Sequence, residues 1–200
     1  MADAMLAGLP RLVRVADETR WRGGAAASLA GSVACYWVVV WLLDGPTDTL
    51  RALAAALTAL AASLAGALLV SRRRLRVGLQ ATRRPPRPVV YETLADGRER
   101  RARASAVVLM GAVLLLVFDR LSGDGGLMAG LMVGIGLGVG VVDLLEARRW
   151  AAAERARNSR LFLLMRPHAL LVRYAGAEVY EELRGDPDRE RGARALDLTS

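Results

Sequence analysis

The sequence predicts an all-α integral membrane protein, a four-helix bundle made of two helical hairpins with both termini in the cytoplasm. Three observations predict this fold: four long apolar segments, arginines placed almost entirely between and beyond them, and glycines repeated at intervals of four in the last segment. Such a bundle would also carry an amphipathic N-terminal helix and a small basic cytoplasmic layer formed by the middle loop and the tail.

The four apolar segments are each long enough to cross a bilayer. They span residues 25–43, 50–70, 104–121 and 127–145, and hold 18 to 21 residues each. A hydrocarbon core of roughly 30 Å needs about 20 helical residues, so each segment is a candidate transmembrane helix. The N-terminus shows no secretory signal pattern, and the chain is expected to insert uncleaved.

The arginines predict the orientation of these helices. All 28 cationic residues are arginine; the loop 71–103 and the tail hold eleven each, whereas the two hairpin turns hold one each. Because cytoplasmic segments are enriched in cationic residues, both termini and the loop are predicted to lie inside. Trp21 and Trp150 at the inner end, and Trp37 and Trp41 at the outer end, agree with this orientation, since indole rings favour the headgroup level. The use of arginine alone, with much alanine and glycine, indicates a GC-rich bacterial genome and hence the bacterial cytoplasmic (inner) membrane.

Six segments are predicted along the chain. They are an amphipathic cytoplasmic or interfacial helix (1–22), a first transmembrane hairpin (23–70), a basic cytoplasmic loop (71–103), a second transmembrane hairpin with a glycine-rich helix (104–146), a cytoplasmic helical tail (147–183) and a terminal segment expected to be disordered (184–200). The first helix is expected to lie in the headgroup plane or to pack on the loop. Three prolines within four residues of the loop favour an extended chain, followed by an extended stretch at 89–91.

Glycines in the last apolar segment are the candidate helix-packing residues: Gly126, Gly130, Gly134, Gly136, Gly138 and Gly140. A glycine costs about 1 kcal/mol relative to alanine in a helix interior, but in a bilayer small residues every four positions let helix backbones approach closely. Four of these glycines share one face, and Gly136 and Gly140 lie opposite. A central helix with two smooth faces is therefore predicted. One face is expected to contact a neighbouring helix of the chain and the other face another subunit, with packing of both faces inside one bundle as the alternative. In the first case Gly134→Leu would dissociate an oligomer.

Arginine clusters in the loop are the candidate lipid-contacting or partner-contacting residues: Arg72, Arg73, Arg74, Arg83, Arg84 and Arg87. They are interpreted first as topology determinants and second as contacts to anionic headgroups, at about 1 kcal/mol per arginine near the surface. A nucleic-acid site would need aromatic residues among the arginines or a recognisable module, and is not expected.

No catalytic, cofactor-binding or metal-binding residue is predicted. Asp143 and Glu146 lie three apart on one helix face and could hold a divalent cation with other ligands, but two arginines close by favour an ion-pair network. His168 is the only histidine and Cys35 the only cysteine, so neither a cysteine zinc cluster nor a histidine metal site is expected. General-base catalysis would need a nucleophile and an orienting partner, and no such set is visible.

Three classes of function remain open. The favoured class is a non-enzymatic membrane protein, either an oligomer or an accessory or assembly subunit of a larger membrane complex. The second is a small channel or transporter for an ion or small solute, with Ser28, Ser32, Thr58 and Ser63 as its polar lining. A membrane enzyme is the third. The expected partners are a bilayer with anionic headgroups and either a second copy of the chain or other membrane subunits.

Overall fold

Four long helices dominate the computed structural model, which describes residues 11–44, 49–85, 90–92, 94–123, 126–165 and 178–183. Helices make up 81% of these residues. They are α1 (Val15–Asp44), α2 (Thr49–Gln80), α3 (Leu94–Ser122) and α4 (Leu127–Ala156). Each is long and apolar enough to cross a membrane. Each also contains one of the predicted apolar segments, so the prediction of four membrane-spanning helices is confirmed at this level.

The turn between α3 and α4 is closed by glycine and aspartate. Gly123 and Gly126 have positive φ angles of 69° and 87°, a conformation that side chains with a Cβ rarely adopt. The carboxylate of Asp119 accepts a hydrogen bond from the backbone N–H of Met128 over 3.0 Å, which satisfies a free donor at the start of α4. The turn therefore fixes where α4 begins.

Helix α4 is the central helix. It contacts α1 along one face and α2 along another, whereas its contact with α3 is much smaller. The buried residues of α3 form a narrow stripe that includes Ala104, Ala112 and Asp119, and large apolar side chains such as Leu114 and Phe118 on its other faces are exposed. The arrangement is a layer of α1, α4 and α2, with α3 attached over a narrower contact.

A four-stranded sheet, which the sequence analysis does not predict, lies at one end of the helices. Its strands are β1 (Arg11–Arg14), β2 (Val90–Tyr91), β3 (Ser159–Met165) and β4 (Val179–Leu183), in the order β2-β1-β3-β4. β1 runs parallel to β2 and antiparallel to β3, and β3 is antiparallel to β4. The all-α class therefore describes the membrane part of the chain, and the basic layer contains a sheet.

The structure differs from the predicted helices 1–22 and 147–183 where it describes them. Arg11–Arg14 is a strand and α1 begins at Val15; α4 ends at Ala156 and the described tail continues as β3 and β4. As strands, these short apolar runs bury alternate side chains on the two faces of the sheet, whereas an amphipathic helix buries only one face. Of the extended stretch predicted at 89–91, the described residues 90 and 91 form β2. Arg87, His168 and the segments 1–10 and 184–200 lie outside the described residues.

Both faces of the sheet are apolar. On one face Val13, Leu161 and Leu163 pack against Trp150 of α4, which is 3% exposed. On the other face the rings of Tyr91 and Phe162 meet edge to face, with centroids 5.3 Å apart. Trp150 is thus part of the core beneath the sheet, and is not the headgroup-level ring that the sequence analysis expects.

Every helix is joined to the sheet at the same end. β1 runs directly into α1, and α4 leads into β3 through a turn in which Asn158 has a φ of 49°. The chain leaving α2 bonds to β4 through Arg83, whose N–H and C=O pair with Val179 and Glu181, and the chain entering α3 forms β2 at the other edge of the sheet. The described parts of the N-terminal segment, the loop and the tail therefore lie together.

Candidate functional site

Three glycines of α4 form its contact with α2. A Cβ atom built on any of them would collide with α2, so only glycine permits this separation of the two helices. The nearest atom to such a Cβ is the carbonyl oxygen of Ala52 for Gly130 and the carbonyl oxygen of Ala56 for Gly134. For Gly138 it is the hydroxyl oxygen of Ser63. The single proton of the Ser63 hydroxyl is shared between the carbonyl oxygen of Leu60 in its own helix, at 3.0 Å, and that of Gly134 across the interface, at 3.3 Å.

The opposite glycines of α4 form its contact with α1. A Cβ on Gly136 would lie 2.9 Å from the Cβ of Ala30, and a Cβ on Gly140 would lie 3.0 Å from the carbonyl oxygen of Gly23. Gly126 lies at the start of the helix, where a Cβ would lie 2.6 Å from Nε1 of Trp37. Gly126 therefore contacts α1 and does not share the α2 face of Gly130, contrary to the prediction from the spacing; the two faces of the other five glycines are both occupied within one chain.

This occupancy changes the expected effect of Gly134→Leu. The glycine spacing favours a second subunit on one face, but in the structure both faces pack against helices of the same chain, which is the alternative. A leucine at position 134 would separate α4 from α2 within the chain. The glycines of α4 therefore maintain the fold, and a contact between subunits has to use another surface.

A buried ion-pair cluster joins α3 to α1 and to Glu92, the residue that follows β2. Arg100 donates hydrogen bonds to Oε2 of Glu18 over 2.6 Å and to Oε1 of Glu92 over 2.7 Å. Glu18 is completely buried, and Nε of Arg101 lies 3.7 Å from the same carboxylate oxygen. Because a buried charge without a partner is costly, this cluster fixes the sheet end of the weakly packed α3.

A second cluster joins α4 to the two central strands. Glu154, 1% exposed, accepts hydrogen bonds from Nη2 of Arg14 over 2.6 Å and from the backbone N–H of Leu161 over 3.1 Å. The hydrogen bond from Arg14 to Glu154 raises the pKa of Arg14 above its ordinary value. The guanidinium thus remains charged, and one carboxylate holds β1, β3 and the last turn of α4 together.

The two acidic residues weighed as a metal site have protein partners. Oδ2 of Asp143 lies 3.7 Å from Nη2 of Arg22 on α1, and Oε1 of Glu146 accepts a hydrogen bond from the indole N–H of Trp150 over 3.1 Å. In the part of the chain that the structure describes, no three potential metal ligands of the histidine, cysteine, aspartate or glutamate type come together. The ion-pair interpretation fits this geometry, with Arg22 as the partner in place of the arginines next in sequence.

The six loop arginines fall into different surroundings. Arg72 and Arg73 are exposed on α2, whereas Arg74 is half-buried. Arg83 donates a hydrogen bond to Glu178 over 2.8 Å beside the sheet, and Arg84 is exposed. The structure does not describe Arg87. The five loop arginines that the structure describes therefore differ in burial and in partners.

Sequence reasoning missed the residues of the two buried clusters. Glu18 and Arg100 are separated by 82 positions, so no local spacing connects them. One signal available in the sequence was the position of Glu18 three residues after Val15, on the same helix face as this apolar residue. Comparison of the chain with protein-family models, with curated proteins and with solved structures gives no match. Function therefore has to be inferred from the geometry of the chain itself, in which paired charges connect the ends of the helices to the sheet.

Proposed function

We propose that this chain is a non-enzymatic multi-pass membrane protein that acts as an oligomerising, accessory or assembly subunit of a membrane complex. The observation that supports this proposal is a stripe of small residues on the outer face of α2. Ala54, Thr58, Ala62 and Gly66 follow one another at intervals of four, and all are exposed. A Cβ on Gly66 would meet no atom of the chain within 4 Å.

The outer stripe has the properties of a helix-packing surface in a bilayer. Lipid tails are as apolar as leucine, so helices associate through close packing, and small residues every four positions allow it. The hydroxyl of Thr58 donates to the carbonyl oxygen of Ala54 over 2.8 Å, which leaves no unsatisfied donor on the stripe. The inner face of α2 is already covered by α4. A helix on the outer stripe would thus belong to another chain.

Substitution of Gly66 by leucine tests this proposal. The matched control is Gly111→Leu on α3, where a Cβ also meets nothing within 4 Å but the residues four positions away are Val107 and Leu115. Overpacking a helix contact costs about 1–3 kcal/mol, which corresponds to roughly 5- to 150-fold weaker association. Native mass spectrometry after gentle extraction would show a homo-oligomer, or a complex with other membrane subunits, that is lost in Gly66→Leu and retained in Gly111→Leu. A monomeric wild type, or equal masses in all three proteins, would reject the proposal.

A small channel or transporter is the second candidate. Exposed hydroxyls favour it, since Ser28 and Ser32 lie on the outer surface of α1 and Thr58 on that of α2. Because α4 fills the space between α1 and α2, a polar passage would have to form between chains. Solute flux into proteoliposomes that disappears in Gly66→Leu would support this function. Flux that persists in a monomeric variant would exclude a passage between chains.

The sheet end is proposed to face the cytoplasm of a bacterial inner membrane. The described N-terminal, loop and tail segments share this end, and they contain most of the arginines. Retention of cationic segments on the cytoplasmic side is the general rule for short loops.

A further inference from the structure

The exposed arginines without partners form a group distinct from those that stabilise the sheet layer. Arg14, Arg83, Arg100 and Arg157 each form an ion pair with a carboxylate. Others are exposed and make no ion pair with any described residue; these include Arg20, Arg72, Arg73, Arg76, Arg148 and Arg149. The paired group is used by the fold, and the second group is free to contact something outside the chain.

Four members of the second group lie just beyond the apolar segments of two adjacent helices. Arg72 and Arg73 follow Val70, the last apolar residue of α2, by two and three positions, and Arg148 and Arg149 follow the apolar segment of α4 by three and four. At 1.5 Å per helical residue, these four backbones lie about 3–6 Å past the hydrocarbon edge. The headgroup layer is about 5–7 Å thick on each side, so the four guanidinium groups are at its level.

The residues just before these arginines explain why the arginines face outward. Ser71 on α2 and Glu146 and Ala147 on α4 are buried against the neighbouring helices. The only nearby carboxylates of α4, those of Asp143 and Glu146, point inward and are held by Arg22 and Trp150. The arginines at the headgroup level therefore have no acidic partner on their own helices.

We propose that Arg72, Arg73, Arg148 and Arg149 form a binding surface for the phosphate groups of anionic phospholipids. A guanidinium presents a planar set of N–H donors that matches phosphate oxygens, and it remains charged at any physiological pH. Arginines close to an anionic membrane surface strengthen binding by roughly fivefold each. This surface is separate from the outer stripe of α2, and its test does not require an oligomer.

Lipid titration of the full-length chain tests the proposal. The purified, delipidated protein in a neutral detergent is titrated with phosphatidylglycerol or with phosphatidylcholine of the same acyl chains, and bound lipids are counted by native mass spectrometry. Wild type is expected to prefer phosphatidylglycerol. Arg72→Gln with Arg73→Gln is expected to weaken phosphatidylglycerol binding by about 25-fold, at roughly fivefold per arginine, and to leave phosphatidylcholine binding unchanged.

The control removes the same charge at a different level. Arg83→Gln with Arg84→Gln also lowers the net charge by two, but α2 ends at Gln80, ten residues after Val70 and so about 15 Å farther along the helix axis. This distance exceeds a Debye length of about 10 Å, so lipid binding in this variant should match wild type. Equal affinity of wild type for the two lipids, or equal losses in the two double variants, would overturn the proposal. Binding of a short DNA duplex that depends on Arg72 and Arg73 would also overturn it.

Discussion

The effect of removing one charged residue on stability depends on whether its partner is then buried without a counter-charge. Arg100 is buried between two carboxylates, and its loss would leave Glu18, which is fully buried, with only Arg101 at 3.7 Å. Arg103 lies one turn further along the same helix and pairs with Glu99, but both of these side chains are more than half exposed. Both are arginine–glutamate ion pairs, but the pair of Arg100 is buried and the pair of Arg103 is exposed.

We expect Arg100→Ala to destabilise the protein by about 3–5 kcal/mol, since it leaves a buried carboxylate without its main partner. The control Arg103→Ala should change stability by less than about 1 kcal/mol, as is usual for exposed ion pairs. Unfolding of both variants in the same detergent would measure the difference. Similar losses in the two variants would show that the cluster around Arg100 does not hold α3 in place.

The spacing of the glycines in α4 is a local pattern, and for that reason the sequence could predict them as contact residues. The spacing could not decide whether each face packs inside or outside the chain, because the partners are distant in sequence: Ala30 and Gly23 are more than 100 positions away from Gly136 and Gly140. The ion pair of Glu18 with Arg100 also depends on distant parts of the chain.

At the scale of elements, the helices were predictable and most of the strands were not. A run of about 20 apolar residues has few alternatives to a membrane helix. β1 has only four residues and pairs with a strand near the other end of the chain, as Arg11 opposite Met165. β3 is a nearly continuous apolar run, which periodicity alone does not distinguish from a buried helix. The prolines before β2 did indicate an extended chain there.

The β3–β4 pair is expected to lose stability on acidification through Glu181. Burial, the largest influence, acts to raise the pKa of Glu181, but hydrogen bonds from Ser159 and Thr82 and the charge of Arg157 outweigh it, so that the pKa is lowered from 4.5. A carboxylate with a lowered pKa stabilises the folded state above its unfolded pKa, and this contribution is lost as the pH falls through the folded pKa. The stability advantage of wild type over Glu181→Gln should thus be largest above about pH 4.5 and shrink below it. Thermal unfolding of both proteins across this range would check the prediction, and an advantage that stays constant with pH would contradict it.

The whole molecule has two layers. In the membrane layer the helices pack closely at glycine residues, and in the second layer a sheet is connected to one end of each of the four helices. Small residues bring α1 and α2 close to α4. The charged cluster around Glu18 attaches α3 to α1 beside the sheet, and the cluster around Glu154 attaches α4 to the sheet. Helix α3 depends most on this attachment, since it has the smallest contact with the other helices. Among the described residues, two surfaces are the ones proposed to make contacts outside the chain: the outer stripe of α2 and the arginines at the headgroup level.

The orientation of the whole molecule can be measured with single cysteines in a Cys35→Ser background. The sheet end should face the cytoplasm, because the two turns at the other end carry a net charge of −2, whereas the whole chain carries +8. The two substitutions are Ser122→Cys, at the end of the helices that carries the turns, and Ala152→Cys, at the sheet end. Both positions are exposed. In intact cells a membrane-impermeant maleimide should label the cysteine at position 122 but not that at 152, which should react only after permeabilisation. That second reaction is the control for thiol access. Labelling of position 152 in intact cells, alone or together with 122, would contradict a single orientation with the sheet inside.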